Sequence, residues 1–427
     1  MPRFETKLSE IDTELHPNEA GMDAPKVTFE GAGDAEGGFI PGRLSWSEES
    51  RQRRLNFLSS LSKSSLSALS GNASDPEAET LKGNIEQYIG MTRVPTGIIG
   101  PVWVEGNEAK GNVYVPMATT EGALISSYNR GAKATFLSGG VVSVCVAEAI
   151  QRAPSFRFES LQEAGKFVAW VSELTEAFQM VASQTSRFAL LQNQKIHLEG
   201  NVVTLIFSYT TGEAAGQNMI TICTQAVCQF ILTHSPVTPR HWFIEGNFSG
   251  DKKATVSALH EVRGKKVVAE AVISKKILSS VLKTTAAEMQ RYWQTSVLGT
   301  VQSGGIGLQG HFANGLAAMF LATGQDVACV AEAANGVTRM EVVEKDGLYI
   351  SVTLPNLVVG TIGGGTSLPT QRECLQLMNC EGPGSARKLA EIMGAVILGG
   401  ELSIAAAVAS HDFVRAHKHL GRKNTKT

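Results

Sequence analysis

The sequence predicts an α+β protein, on three observations. Strand-like and helix-like patterns alternate between residues 156 and 243. Two more strand-like runs, Lys266–Ile273 and Leu348–Leu354, lie among Ala-rich helical stretches. The longest apolar run, Ile392–Val408, is broken by Gly399, Gly400 and Glu401, so it reads as a buried helix and not a membrane span.

The 427 residues suffice for two or three domains and a large core. At 43% hydrophobic and 18% charged, a mostly disordered chain is excluded. Basic and acidic side chains number 38 and 40, and the net charge of −2 selects for neither nucleic acid nor an anionic membrane. The 43 glycines exceed the usual share and point to tight backbone approaches, as at nucleotide sites. Cys145, Cys223, Cys228, Cys329, Cys374 and Cys380 form no CxxC pair or regular framework. They read as buried free thiols of a reducing compartment, and no metal centre is expected. No basic-then-apolar leader opens the chain, so the expectation is a soluble cytoplasmic protein.

In chain order, residues 1–44 read as a disordered tail, with nine acids against three bases over 1–42. Leu55, Leu58, Leu61, Leu66 and Leu69 predict helical structure from Ser45 to about Leu81, in a small N-terminal domain at 45–88. Gly and Pro keep 90–101 out of helix. A helix is predicted from about Ala118, with Thr119 and Thr120 as cap hydroxyls and Glu121 in its first turn. Phe156–Phe158 reads as strand, Leu161–Ala182 as helix, Val202–Tyr209 as strand and Gly216–Thr233 as helix, suggesting a small split-βαβ sandwich. The tail 415–427 holds five bases and no acid.

Four segments carry candidate chemistry. Val115-Pro-Met-Ala-Thr-Thr-Glu-Gly122 puts a carboxylate where a helix dipole would favour it, which in most proteins is only capping. Gly250-Asp-Lys-Lys253 could aim a cation at an anion or carbonyl oxygen, although paired lysines are usually a solvated face. Gly310-His-Phe-Ala-Asn314 and Ala322-Thr-Gly-Gln-Asp326 place polar groups in apolar surroundings; a hydrogen-bonded core network explains them equally well. Gly360-Thr-Ile-Gly-Gly-Gly-Thr366 lets backbone N–H groups approach a phosphate, or simply turns a strand into a helix. It is not the GxGxxG of a Rossmann unit. His417 and His419 sit in a basic tail, where a histidine also suits general acid work.

Read in order from Glu86 to Arg422, these segments resemble the hydroxymethylglutaryl-coenzyme A reductase family. The resemblance rests on EQYIG, PMATTEG, DKK, HFAN, ATGQD, VGTIGGGT and AHKHLGR. It looks like the eukaryotic (class I) catalytic domain without its membrane anchor. It implies a large domain around a long central helix (89–152 and 254–427) and an inserted ferredoxin-like NADPH domain at 153–243. An active-site loop would occupy 244–253, and active sites would be shared in a homodimer or homotetramer. The implied reaction is reduction of hydroxymethylglutaryl-CoA to mevalonate and coenzyme A by two hydride transfers from NADPH.

By the same resemblance, Lys252 matches the cation for the developing alkoxide and Glu121 the proton donor of raised pKa. Asp326 matches the aspartate coupled to both, and His417 the acid for the departing thiolate. Arg152, Glu245, Asp251, Lys253 and Asn314 match substrate-pocket positions. Ser127, Asn129, Arg130 and Lys283 match coenzyme A contacts. Ser186, Arg187 and Phe188 match the loop for the NADPH 2′-phosphate. Glu213, Gly216, Asn218, Met219, Gly363, Gly364, Gly365 and Arg422 complete the cofactor set.

Departures from the family pattern carry information. Its Asp-Ala-Met-Gly-Met-Asn-Met reads here Glu213-Ala-Ala-Gly-Gln-Asn-Met219. Glu245 replaces a serine that binds the substrate's distal carboxylate. A lysine for that carboxylate is missing between Arg291 and His311, and Gly-Ser-Ser has become Glu332-Ala-Ala334. One charge lost and one gained would weaken carboxylate binding by roughly several kcal/mol in a desolvated site. Lys423 stands where a regulatory serine is expected. Three readings follow: a reductase with an altered, inhibitor-tolerant pocket; a reductase of another acyl-CoA; and a non-catalytic homologue. The presence of Glu121, Lys252, Asp326 and His417 argues against the third.

Overall fold

The computed structural model describes residues 38–410 apart from 43, 44 and 63. Most of the expected tail at 1–44, and His417, His419, Arg422 and Lys423, lie outside the described residues. The leucine pattern over Ser45–Leu81 forms one helix, α1 (Glu48–Ser62), and two short turns, Ser67–Ser70 and Ala78–Leu81. Leu58 and Leu66 pack with Tyr114. The pattern breaks because Leu66 turns left-handed at φ 49 and the buried Glu373 carboxylate accepts from the N–H groups of Ala68 and Leu69.

β1 (Thr96–Glu105) and β2 (Lys110–Ala118) form an antiparallel hairpin. Residues 113–118 are all buried, so Ala118 ends a strand and does not begin a helix. The helix expected there, α2 (Leu124–Phe136), starts later, after Ala123 at φ 73. Glu121 therefore sits in an exposed loop, its N–H donating to Thr119 Oγ1 at 3.0 Å. Thr119 caps this turn and not the helix.

β3 (Val141–Arg152) serves two sheets. Its residues 142–149 pair antiparallel with β8 (Gly264–Ile273), across a bulge between Cys145 and Ala147. Its last three residues pair instead with β6 (Val202–Thr210). On the first side the sheet continues to β10 (Gly347–Leu357) and β9 (Val337–Val343). On the second, β4 (Ser155–Arg157), β5 (Leu190–Glu199), β6 and β7 (His241–Phe243) run antiparallel in the order β7-β4-β6-β5.

The expected helix Leu161–Ala182 is two, α3 (Leu161–Val171) and α4 (Thr175–Thr185). Phe167, Val171, Phe178 and Ala182 are all buried, and Leu174 packs between them. This 3–4 spacing runs unbroken through the bend, which is why periodicity conceals it. The sequence pattern does not announce β5. Apart from Leu191 it is largely exposed, as an edge strand is, and lacks a clear apolar alternation.

The longer remaining helices among the described residues are α5 (Gln217–His234), α6 (Ala286–Ser303), α7 (Phe312–Thr323), α8 (Pro369–Leu377) and α9 (Ala386–Ala409), with shorter helical turns between them. α9 is long and apolar enough to cross a membrane by length and composition, yet it is largely buried within the protein. All six cysteines are buried and free.

Two carboxylates inside α9 staple the core. Glu391 accepts from the backbone N–H groups of Glu108, Ala109 and Cys145. Glu401 accepts from those of Gly310 and His311, each at 2.7 Å, and from Thr338 Oγ1. Burial pushes the Glu401 carboxyl up, but the His311 ring and these N–H donors outweigh it and hold it below its ordinary 4.5. Its contribution to stability is therefore complete above the unfolded carboxyl pKa and lost as pH falls through the lower folded value. Glu401→Gln should cost about 2–4 kcal/mol at pH 7. Thermal unfolding followed from pH 7 to well below the ordinary carboxyl value of 4.5 should show a constant gap above that value and a closing gap beneath it; a gap that stays constant throughout would contradict the account.

Candidate active site

The site is assembled on a bent loop. Residues 244–253 carry Asn247, Gly250 and Lys252 at φ 65, 72 and 56. A lysine in the left-handed region is disfavoured unless its neighbours fix it. The Lys252 Nζ lies 2.7 Å from Asp326 Oδ2, with the two side chains 41% and 42% exposed. At that exposure the pair is open to a ligand and screened by water, so it contributes little to stability. Its hydrogen bond to Asp326 is the main cause of a raised Lys252 pKa, which keeps the ammonium charged. Asp326 also caps the turn after α7, its Oδ1 accepting from Ala328 N–H at 3.1 Å.

Around this pair the charged groups are paired inward. Arg152 Nη1 lies 3.3 Å from Asp251 Oδ2 and 3.5 Å from Glu245 Oε2. Glu245 also accepts from Ala153 N–H at 3.1 Å. The residue expected to repel a substrate carboxylate is thus turned onto Arg152. Lys253 donates to the Asp251 carbonyl at 2.7 Å, leaving Lys252 as the loop's outward cation. Cys329 is buried beside them, 2.8 Å from Gln217 Nε2, and burial foremost pushes its thiol up to about 12.

Three glycine-bearing motifs converge backbone on backbone. Gln325 bridges to Gly360 through both its amide atoms. A Cβ on Gly324 would lie 2.2 Å from the Gly365 carbonyl, so neither chain tolerates a side chain there. Glu213 accepts through its carbonyl from Thr361 N–H, and through Oε2 from the Ser385 and Ala386 N–H groups that open α9. The Glu213 carboxylate is therefore an internal brace as the structure stands. Gly363 and Gly364, at φ 84 and 57, face open space. Gly216, at φ 79, opens α5, with Asn218 exposed and Met219 half-buried in its first turn.

Ser186 closes the turn before β5, accepting from the N–H groups of Phe188 and Ala189. Arg187 stacks over the exposed Phe188 ring at 4.9 Å. Ser127 and Arg130 bond to Ser403 of α9, and Asn129 Oδ1 accepts from Gly100 N–H. Asn314 lies in the first turn of α7, and Lys283 is exposed at φ 60. Among the described residues no ion pair joins Glu121 to Lys252, whose partner is Asp326. His417 and Arg422 lie outside the described residues.

Arg263 joins the site without a signal in the sequence, and brings Glu332 with it. Arg263 is 4% exposed and bonds Glu332 through Nε at 2.6 Å and Asp251 through Nη2. Glu332 stands out in the sequence only as a departure from a small-residue pattern; no periodicity links it to Arg263.

The fold is that of solved reductases. A class II 3-hydroxy-3-methylglutaryl-CoA reductase from Streptococcus pneumoniae, bound to NADPH in open conformations, superposes at a TM-score of 0.68 with 19% identity, over 86% of this chain and all of that one. A family model described as hydroxymethylglutaryl-coenzyme A reductase matches residues 50–422, and the chain belongs to that family. The 3-hydroxy-3-methylglutaryl-coenzyme A reductase of Aeropyrum pernix is 43% identical over 88% of this chain and 90% of its own length. That of Pyrococcus horikoshii is 42% identical over 82% and 86%.

Proposed function

We propose that this protein reduces hydroxymethylglutaryl-CoA to mevalonate and coenzyme A with NADPH. The observation that carries this reading is the Lys252–Asp326 pair, presented half-exposed on a pre-bent loop in a chain of this family. NADPH, when bound, supplies the hydride at each of the two stages. The residues fit it: Arg187 and Phe188 offer an exposed guanidinium and ring, and Gly363 and Gly364 leave backbone open to a phosphate. The order β7-β4-β6-β5 supports reading 153–243 as the module that holds it.

Lys252 stabilises the negative oxygen that develops as the thioester carbonyl, and later the aldehyde, is reduced. Asp326 holds the ammonium charged and aimed. Glu121, in its exposed loop, donates a proton to that oxygen, and His417 protonates the departing thiolate; both assignments rest on the family resemblance. Ser127, Asn129, Arg130 and Lys283 hold coenzyme A on the same grounds. A homodimer or homotetramer with shared sites would complete the enzyme. The eukaryotic-type subtype rests on motifs alone, whereas the Aeropyrum pernix and Pyrococcus horikoshii enzymes that the chain matches are archaeal. Buried free thiols and a buried α9 support a cytoplasmic enzyme. The test is oxidation of NADPH by purified protein with hydroxymethylglutaryl-CoA; no turnover from folded protein that binds NADPH would refute the substrate assignment.

A further inference from the structure

Beneath the Lys252 loop runs a chain of charged side chains: Glu245, Arg152, Asp251, Arg263 and Glu332. Its inner end is the most buried, with Arg263 and Glu332 at 4% and 1% exposure. Arg263 donates from Nε to Glu332 Oε2, from Nη1 to the Gln151 carbonyl at 2.8 Å and from Nη2 to Asp251. The other Glu332 oxygen, Oε1, accepts from the backbone N–H of Lys252 at 3.1 Å.

Lys252 is thus held at two points by one short segment. Asp326 takes its ammonium, and Glu332, six residues further on, takes its amide. Arg263 stiffens both Glu332 and Asp251, the residue before Lys252. The left-handed backbone of Lys252 needs such a partner, since a β-carbon disfavours it. Stability alone does not explain a buried ion pair here, because an apolar pair of similar volume is often as stable.

We infer that Arg263 and Glu332 are positioning residues for Lys252: the buried pair fixes the loop backbone so that the lysine ammonium stands on Asp326. The inference rests on the reading of Lys252 as the cation that stabilises the reacting oxygen. The groups facing that ammonium are Asp326 and Cys329 from the segment after α7, and Asp251 from its own loop; the Lys253 ammonium is turned onto the Asp251 carbonyl. Released from Asp326, Lys252 loses the hydrogen bond that raises its pKa, so it deprotonates at lower pH.

The double variant Arg263→Met/Glu332→Met removes the amide's acceptor while keeping the site filled. It should fold, with kcat down about tenfold or more and KM for either substrate changed by less than about threefold. The alkaline limb of its kcat profile should move to lower pH. Glu332→Gln keeps an oxygen for the Lys252 amide and should retain more of kcat than the double variant. Competitive acetylation of Lys252 against pH, read by mass spectrometry, follows the same ammonium without turnover. It should titrate at lower pH in the double variant and, by a smaller step, in Glu332→Gln. Lys275→Ala, which removes an exposed pair with Asp346, should leave kcat unchanged. Unchanged kcat, alkaline limb and labelling in the folded double variant would overturn the inference. If that variant does not fold, an unshifted labelling curve in Glu332→Gln overturns it equally. Should the unaltered protein not oxidise NADPH with hydroxymethylglutaryl-CoA, the substrate reading fails, while the labelling curves still decide the positioning.

Discussion

Lys252→Ala should lower kcat by about 10²–10³-fold while NADPH still binds, because it removes the charge proposed to face the developing alkoxide. The neighbouring lysine cannot replace it. Lys253 is turned onto the Asp251 carbonyl, and Arg152 and Arg263 are each committed to carboxylates. Nor should the loss be one of stability, since the Lys252–Asp326 pair is half-exposed and screened. Steady-state kinetics with NADPH binding followed by fluorescence separate the two effects. Turnover within a few-fold of the unaltered protein would remove Lys252 from the chemistry.

The second large effect is expected far from the loop, where α2 crosses α9. A Cβ built on Gly131 would lie 1.8 Å from the Gly399 carbonyl oxygen, so the two helix backbones touch. In an isolated helix, Gly→Ala stabilises by about 1 kcal/mol. Here the clash decides the sign, because neither atom is the end of a flexible side chain. Gly131→Ala should destabilise by about 3 kcal/mol. For a folded chain of this size that corresponds to a fall in thermal midpoint of roughly 3–5 °C. α2 carries Ser127, Asn129 and Arg130, the residues proposed to hold coenzyme A, so on that proposal the KM for the coenzyme A substrate should rise as the helix is pushed away. A midpoint at or above that of the unaltered protein would show that the helices separate without cost.

What is legible in the sequence follows physical lines. α9, β6, β8 and β10 are long, strongly apolar and internally consistent, and each lies close to where its pattern places it. The bend between α3 and α4 is hidden because its buried residues keep helical spacing across it. Glu121 is misplaced by pattern because the capping signal around Thr119 imitates a helix start, whereas burial of the whole run 113–118 favours a strand. Within the site, DKK and ATGQD do meet, at Lys252 and Asp326. Arg263, and its pairing with Glu332, escape notice because an ion pair across 69 residues leaves no local trace. Glu245 is legible in the sequence as a departure from the family pattern, but its direction is set by Arg152 and the Ala153 N–H, partners only the folded chain supplies.

The most direct test of the account is a ratio: NADPH oxidised against coenzyme A thiol released, measured in one reaction with hydroxymethylglutaryl-CoA. Two NADPH per thiol is the predicted result, since thioester and aldehyde are reduced in turn. One NADPH per thiol, or thiol release without NADPH oxidation, would contradict it.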